Sequence, residues 1–442
     1  MFKKPTYTQI IAFSFLVTIL VGAGLLCLPI SAKSGEWTPF IDSLFTATSA
    51  TCVTGLAVVD TFAHWSIFGQ VVILCLIQVG GLGFMTLMIA FSMLIRKHVS
   101  LHEQLLLRQS TGNNHGGGIP ALLKKIVIGT LIFEGIGVIL LSIRFCDMLG
   151  LGKGLYYAVF HSVSAFCNAG FDILSGMGSS SLSLFVDDPL VNFTVMFLIV
   201  TGGIGFLVWE DILNCRFRFK KLALHTKVVL VTTTALILSG WILFYFLERN
   251  NAFASMTEGQ KLMASLFQSV TTRTAGFATV SQGSLSEPSS IVTVFLMLIG
   301  GSPGSTAGGL KTTTFAVLVV GTLCCARNNE HTVMFKRRID PNVVREASAI
   351  VSIYLAAAII GALVICVIEP VTFIQSIYET ASAIGTVGLS MNLTPSMGSA
   401  ARLILIIFMY AGRIGGLSFI LALAEKRKRV PLERPTGKIL IG

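Results

Sequence analysis

The chain has 442 residues, of which 53% are hydrophobic and 12% charged, with a mean hydropathy of +0.81 and a formal net charge of +11. A water-soluble domain carries about twice that share of charge on its surface, so a soluble enzyme or binding module is excluded. No folded basic face exists to carry nucleic acid, so the net charge has another meaning.

The first apolar run, residues 9–30, follows Lys3 and Lys4 in the manner of a secretory signal. It is too long for a signal's apolar core, and further membrane-length runs follow, so it is read as a retained helix. Five basic clusters punctuate the chain: Lys3 and Lys4; Arg96, Lys97, Arg108, Lys124 and Lys125; Arg216, Arg218, Lys220, Lys221 and Lys227; Arg327, Lys336, Arg337, Arg338 and Arg345; and Lys426, Arg427, Lys428, Arg429, Arg434 and Lys438. The positive-inside rule places all five in the cytoplasm. Both termini are then cytoplasmic and the number of crossings is even, with eight long helices expected. Nine cysteines show no paired spacing, which argues against a disulfide or zinc framework.

Between successive clusters one grammar recurs four times. An apolar helix leads to a shorter helix rich in Ser, Thr and Ala, then to a glycine-containing pentapeptide and a second apolar helix. The pentapeptides are Cys52-Val53-Thr54-Gly55-Leu56, Cys167-Asn168-Ala169-Gly170-Phe171, Arg273-Thr274-Ala275-Gly276-Phe277 and Gly385-Thr386-Val387-Gly388-Leu389. Each second apolar helix contains a glycine-rich turn, beginning at Gly80, Gly202, Gly300 and Gly412. The expected repeats are residues 1–112, 113–224, 225–340 and 341–442, the last including a C-terminal tail. Repeated glycines in membrane helices ordinarily mean close packing, which accounts for the turns but not for pentapeptides lying between helices.

Irregular backbone at membrane depth is tolerated only when buried in protein or lining a water-filled cavity. Four re-entrant helices, each leaving as an extended loop, meet that condition around one axis. Their carbonyls can replace the hydration shell of an ion, and their C-terminal helix ends favour a cation. The expected fold class is therefore an all-α integral membrane protein. It has four pseudo-symmetric repeats of outer helix, re-entrant pore helix with filter loop, and inner helix around a central pore. Asp60 and Asp172, shortly after the first two loops, are candidates for a cation-attracting outer mouth.

Thr386-Val387-Gly388-Leu389 looks like the start of the TVGYG filter of potassium channels. One loop glycine per repeat resembles the Ktr/Trk/HKT superfamily of potassium transporters, over essentially the whole chain. The absence of an extra N-terminal helix pair makes it most similar to the bacterial Ktr-type (KtrB-like) membrane subunit. That resemblance implies a selectivity filter and K+ binding site at Val53, Thr54, Gly55, Asn168, Ala169, Gly170, Thr274, Ala275, Gly276, Thr386, Val387 and Gly388. It implies K+ as the transported ion, Na+ as a candidate activator, and no organic cofactor in this chain. It also implies a homodimer in the lipid bilayer of a bacterial cell membrane, controlled by a cytoplasmic ring of nucleotide-binding, RCK-type subunits. The tail at residues 437–442 is expected to contribute to the dimer.

Two departures from the repeat read as gates. Arg413 stands where the other repeats have Gly81, Gly203 and Gly301. An intramembrane arginine is costly and rarely unpaired; it is either a barrier to cations below the filter, as the resemblance implies, or part of a structural pair, with Glu134 as an available partner. The second is the run from Gly300 to Lys311, holding Gly301, Gly304, Gly308 and Gly309. Apolar stretches on either side are each too short to span, so they form one inner helix broken by a flexible loop. In the family this resembles an intramembrane gating loop, which Lys311 could anchor to carbonyls or a carboxylate. Arg273 is expected to brace carbonyls behind the filter, and His161 to be packed rather than catalytic. A secondary transporter with alternating access is the alternative. No HExxH motif or Ser/His/Asp set suggests an enzyme.

Overall fold

The computed structural model describes residues 7–83, 119–178 and 181–415. The N-terminal lysines, Arg96, Lys97, Arg108, the 426–438 cluster, the C-terminal tail and the expected boundary at 112/113 lie outside the described residues. Repeat 1 contains α1 (Tyr7–Cys27), α2 (Phe40–Thr51), α3 (Thr61–His64) and α4 (Ile67–Leu82). Repeat 2 contains α5 (Ile119–Leu149), α6 (Leu151–Phe166), α7 (Pro189–Gly203) and α8 (Phe206–Asn214). Repeat 3 contains α9 (Leu224–Glu248), α10 (Glu258–Thr271), α11 (Glu287–Leu298) and α12 (Thr312–Ala326), followed by a hairpin of β1 (Val333–Met334) and β2 (Arg337–Arg338). Repeat 4 contains α13 (Pro341–Ile368), α14 (Phe373–Gly385) and α15 (Ser399–Ile414).

The outer helices α1, α5, α9 and α13 contain apolar windows long enough to cross a membrane. Their exposed residues are large and apolar, including Leu131, Ile139, Phe246 and Val367, as a lipid-facing surface requires. The re-entrant helices α2, α6, α10 and α14 are instead buried over their C-terminal halves, and those halves are built of Ser, Thr, Ala and a few aromatics. Small hydroxyl side chains let these helices approach one another closely while bonding back to the main chain. Thr257 and Thr372 start α10 and α14 with complete capping boxes, closing with Gln260 and Gln375.

The repeats close into a ring. Each inner helix packs on the re-entrant helix of the next repeat: α4 on α6, α7 on α10, α11 on α14, and α15 back on α2. Arg402 of α15 forms an ion pair with Asp42 of α2 across the last of these seams.

The expectation of eight long helices needs correction. Among the described residues the four inner segments are short or broken, and the break expected in the third has counterparts in the others. Gly83 and Gly415 end α4 and α15, and Gly205 precedes α8, with φ of +81°, +96° and +98°; Gly304 in the third loop has φ +67°. Only glycine takes such backbone without strain, so the helix cannot continue. The second inner segment bends by 92° between α7 and α8. The first glycine of three of the turns has a separate task. A Cβ at Gly80, Gly202 or Gly412 would overlap the carbonyl oxygen of Thr51, Phe166 or Ile384, at or next to the last residue of a re-entrant helix. Backbone thus lies on backbone directly beside the glycine-containing pentapeptides.

Candidate functional site

The four pentapeptides adopt one conformation. The residue two before each glycine has positive φ: Val53 (+56°), Asn168 (+59°), Thr274 (+65°) and Thr386 (+52°). The glycines themselves follow at +95°, +68°, +79° and +92°. Left-handed backbone at a non-glycine residue costs roughly 1–2 kcal/mol, and three of these four are β-branched. Such strain is held where function needs it.

A Cβ built on Gly55 would strike the carbonyl oxygen of Ala169, one on Gly170 that of Ala275 at 2.7 Å, one on Gly276 that of Val387 at 2.6 Å, and one on Gly388 that of Thr54. The loops therefore follow one another in cyclic order, each glycine against the carbonyl of its neighbour. The following apolar residues, Leu56, Phe171, Phe277 and Leu389, are buried in the surrounding core. The Gly55 and Gly388 N–H groups donate to Ser49 and Ser382 hydroxyls, both at 3.0 Å. The hydroxyls of Thr54 and Thr386 are buried and make no hydrogen bond among the described residues, leaving further oxygens at this level.

Directly beneath lies the segment from Gly300 to Lys311. Gly308 abuts the Thr386 side chain, and Gly309 lies against the Gly385 carbonyl. Thr306 ties this segment to repeat 2, its N–H donating to the Gly202 carbonyl and its hydroxyl to that of Phe166. Ser302 N–H donates to the Gly203 carbonyl at 2.9 Å, and Gly304 accepts from Phe206 N–H at 2.8 Å. Gly301 carries a close approach to the Ala307 side chain. Lys311 donates to the Ala307 and Gly308 carbonyls at 2.8 and 3.3 Å, so its anchor is carbonyls and not a carboxylate.

Arg413 donates to the Thr306 carbonyl of this loop and to the Gly80 and Gly81 carbonyls of α4. Its guanidinium bridges repeats 1 and 3. Among the described residues it makes no ion pair with Glu134, whose carboxylate instead accepts from Gln78 at 3.3 Å. Arg273 braces carbonyls, those of Thr233 on α9 and Gly300 at the head of the loop. His161 is fully buried, its Nδ1 bonded to the Tyr157 carbonyl at 2.7 Å and its Nε2 accepting from Ile173 N–H.

The family model TrkH, described as a cation transport protein, matches residues 3–430. The chain belongs to the TrkH family. Ktr system potassium uptake protein B of Bacillus subtilis is 40% identical over 440 residues, covering 99% of this chain and 97% of that protein. Potassium/sodium uptake protein NtpJ of Enterococcus hirae is 38% identical, covering 100% and 98%. The crystal structure of the potassium transporter TrkH from Vibrio parahaemolyticus superposes with a TM-score of 0.76 at 17% identity, covering 96% of this chain and 86% of that one, a likeness of fold. With its membrane-length helices, this TrkH-family chain is a multi-pass membrane protein.

In this TrkH-family protein, a cavity of about 220 Å³ is lined by all four loop glycines together with Asp172, Ser281, Gln282, Ser390 and Asn392. The two candidate mouth carboxylates part company here. Asp172 lines the cavity, whereas Asp60 caps α3, accepting from Ala63 N–H at 2.6 Å and from the Ser175 hydroxyl at 2.7 Å. Burial pushes the Asp172 carboxyl up to about 6; Leu174 N–H works against this and the Asp60 charge reinforces it. A raised carboxyl pKa means the anion is present above pH 6 and lost below it. Cation uptake is expected to fall as external pH drops from about 7.5 to 5. Asp172→Asn should flatten that profile at roughly fivefold lower uptake, the worth of about 1 kcal/mol for one charge at 4 Å in water. A variant keeping the wild-type pH profile would remove Asp172 from the mouth.

Several residues of the TrkH-family site escaped the sequence reading. Thr306 binds through its N–H, hydroxyl and carbonyl, yet sits anonymously in a Gly/Ser/Thr run. Glu379 straps the segment after the fourth loop, accepting from Ser390 at 2.6 Å, Met391 N–H at 3.1 Å and Thr394 at 2.7 Å. A carboxylate in the otherwise uncharged run of α14 was the available signal.

Proposed function

We propose that this chain mediates potassium uptake across a bacterial cell membrane, through a channel-like pore with a four-loop carbonyl filter. The observation that carries the reading is the cyclic contact of each loop glycine with its neighbour's carbonyl. Carbonyl oxygens converging at a helix-ended, water-accessible axis replace a cation's hydration shell. The filter residues are Val53–Gly55, Asn168–Gly170, Thr274–Gly276 and Thr386–Gly388. The loop from Gly300 to Lys311 and Arg413 form the gate beneath, and the pore repeats are residues 1–112, 113–224, 225–340 and 341–442. The names of the relatives, potassium uptake and potassium/sodium uptake proteins, support K+ as the ion, with Na+ as activator or second cation. In this reading the chain works as a homodimer, both termini cytoplasmic, under a ring of RCK-type nucleotide-binding subunits.

The test is flux in liposomes containing the purified chain. Saturable rubidium uptake exceeding sodium uptake is the expected result. Rubidium movement obligatorily coupled to a second ion in fixed ratio, with no uncoupled flux, would replace the pore by an alternating-access carrier.

A further inference from the structure

A groove of about 540 Å³ lies outside the filter and gate, between α9, α12 and the hairpin. Its walls are apolar: Val231 and Leu236 of α9, Phe315 and Val319 of α12, and Val333 and Phe335 of the hairpin. Val231, Val319, Val333 and Phe335 are exposed, so the groove opens toward the lipid. Along α9 its lining runs from Val228 to Ser239, about 16 Å at 1.5 Å per residue. That is close to half of a hydrocarbon core of about 30 Å, beginning near the basic, cytoplasmic-type end of α9.

The hairpin closes that end in an unusual way. Its two turn residues, Phe335 and Lys336, both have positive φ, +47° and +64°. A two-residue turn of this kind ordinarily demands Asn or Gly, and a bulky residue there marks strain retained for a purpose. The turn sets Phe335 edge-on to Phe219, with ring centroids 6.4 Å apart. Lys220 and Lys221 follow Phe219, and Lys336, Arg337 and Arg338 follow Phe335; all five are exposed. None forms an ion pair among the described residues. The neighbouring carboxylates Asp211 and Asp340 are engaged with the N–H groups of Ala223 and Asn342. An apolar slot half a bilayer deep, an aromatic pair at its mouth and unpaired cations above it match one molecule in three places.

We propose that this groove binds an anionic phospholipid of the cytoplasmic leaflet, its acyl chain between α9 and α12 and its phosphate at Lys336, Arg337 and Arg338. The chain would lie on Phe315, four residues after Lys311, and occupancy would steady the helix that carries the gate loop. That consequence rests on the pore reading above, whereas retention of the lipid does not.

The test is native mass spectrometry of the purified full chain, titrated with phosphatidylglycerol or phosphatidylcholine. Wild type is expected to retain phosphatidylglycerol roughly tenfold or more in preference, since each basic residue near an anionic surface contributes about fivefold. The triple variant Lys336→Gln/Arg337→Gln/Arg338→Gln should lose that preference while keeping some phosphatidylcholine. Ala235→Phe, which fills the slot, should reduce retention of both. The surface variant leaves the core untouched, so it keeps the test decisive even where the groove variant fails to fold. Equal retention of the two lipids by wild type, or an undiminished preference in the triple variant, would overturn the proposal. So would a triple variant that still prefers phosphatidylglycerol but loses a cytoplasmic partner, because the cations would then serve that partner.

Discussion

Gly388→Ser is expected to abolish the preference of the pore for rubidium over sodium. Gly388 has φ +92°, and an added Cβ would overlap the Thr54 carbonyl oxygen and approach Gly55 Cα to 2.9 Å. Both are main-chain atoms of the adjoining filter loop, so neither can swing aside as a side-chain tip could. The left-handed conformation alone costs a Cβ roughly 1–2 kcal/mol. Relief comes by displacing the Thr54 carbonyl or by flipping the Gly388 peptide, and either change alters two of the four loops. A loss of 1–2 kcal/mol in differential ion stabilisation corresponds to a factor of about 5–30. Paired rubidium and sodium uptake measurements on the variant check it. An unchanged ratio with folded protein would end the carbonyl-filter reading.

Arg413→Ala is expected to raise flux. The guanidinium places a positive charge beside the glycine loops and ties the loop at Thr306 to Gly80 and Gly81. One charge at 4 Å is worth about 1 kcal/mol in water and about 4 kcal/mol at an effective dielectric of 20. Its removal should therefore increase uptake at least fivefold. Charge and tether are separable with Arg413→Gln, which removes the charge but keeps donors for carbonyls. Equal increases in Ala and Gln variants assign the effect to charge; an increase confined to Ala assigns it to the tether. Unaltered flux in both returns Arg413 to a purely structural role.

The two residues illustrate how differently parts of the site could be read from the chain. Gly388 was visible because one glycine recurs at the same place in four loops in register, and positive φ with close main-chain approach favours glycine there. Val53, Asn168, Thr274 and Thr386, two before each loop glycine, entered only through the family resemblance, because their side chains are not uniform. What they share is a backbone angle, which the surrounding packing imposes. Arg413 was conspicuous as a lone charge in an apolar run, and the cost of burying it foretold partners. Those partners turned out to be carbonyls from two other repeats, and a carbonyl leaves no trace in a sequence. Glu134 was a reasonable candidate by charge and lost by position.

Composition, the spacing of basic clusters and the fourfold register of loop and turn glycines by themselves determined a membrane-embedded, four-repeat chain with re-entrant loops. These are properties of single segments, set by hydropathy and by the conformations a Cβ forbids. Only the tertiary structure decided how closely the inner helices seat on the re-entrant helices, because that depends on Gly80, Gly202 and Gly412 meeting carbonyls far away in the chain. It alone decided the cyclic order of the loops, the seating of the Gly300–Lys311 segment under Thr386, and the separation of Asp172 from Asp60. Each of these depends on which distant main-chain atoms meet, and main-chain atoms are the same in every residue.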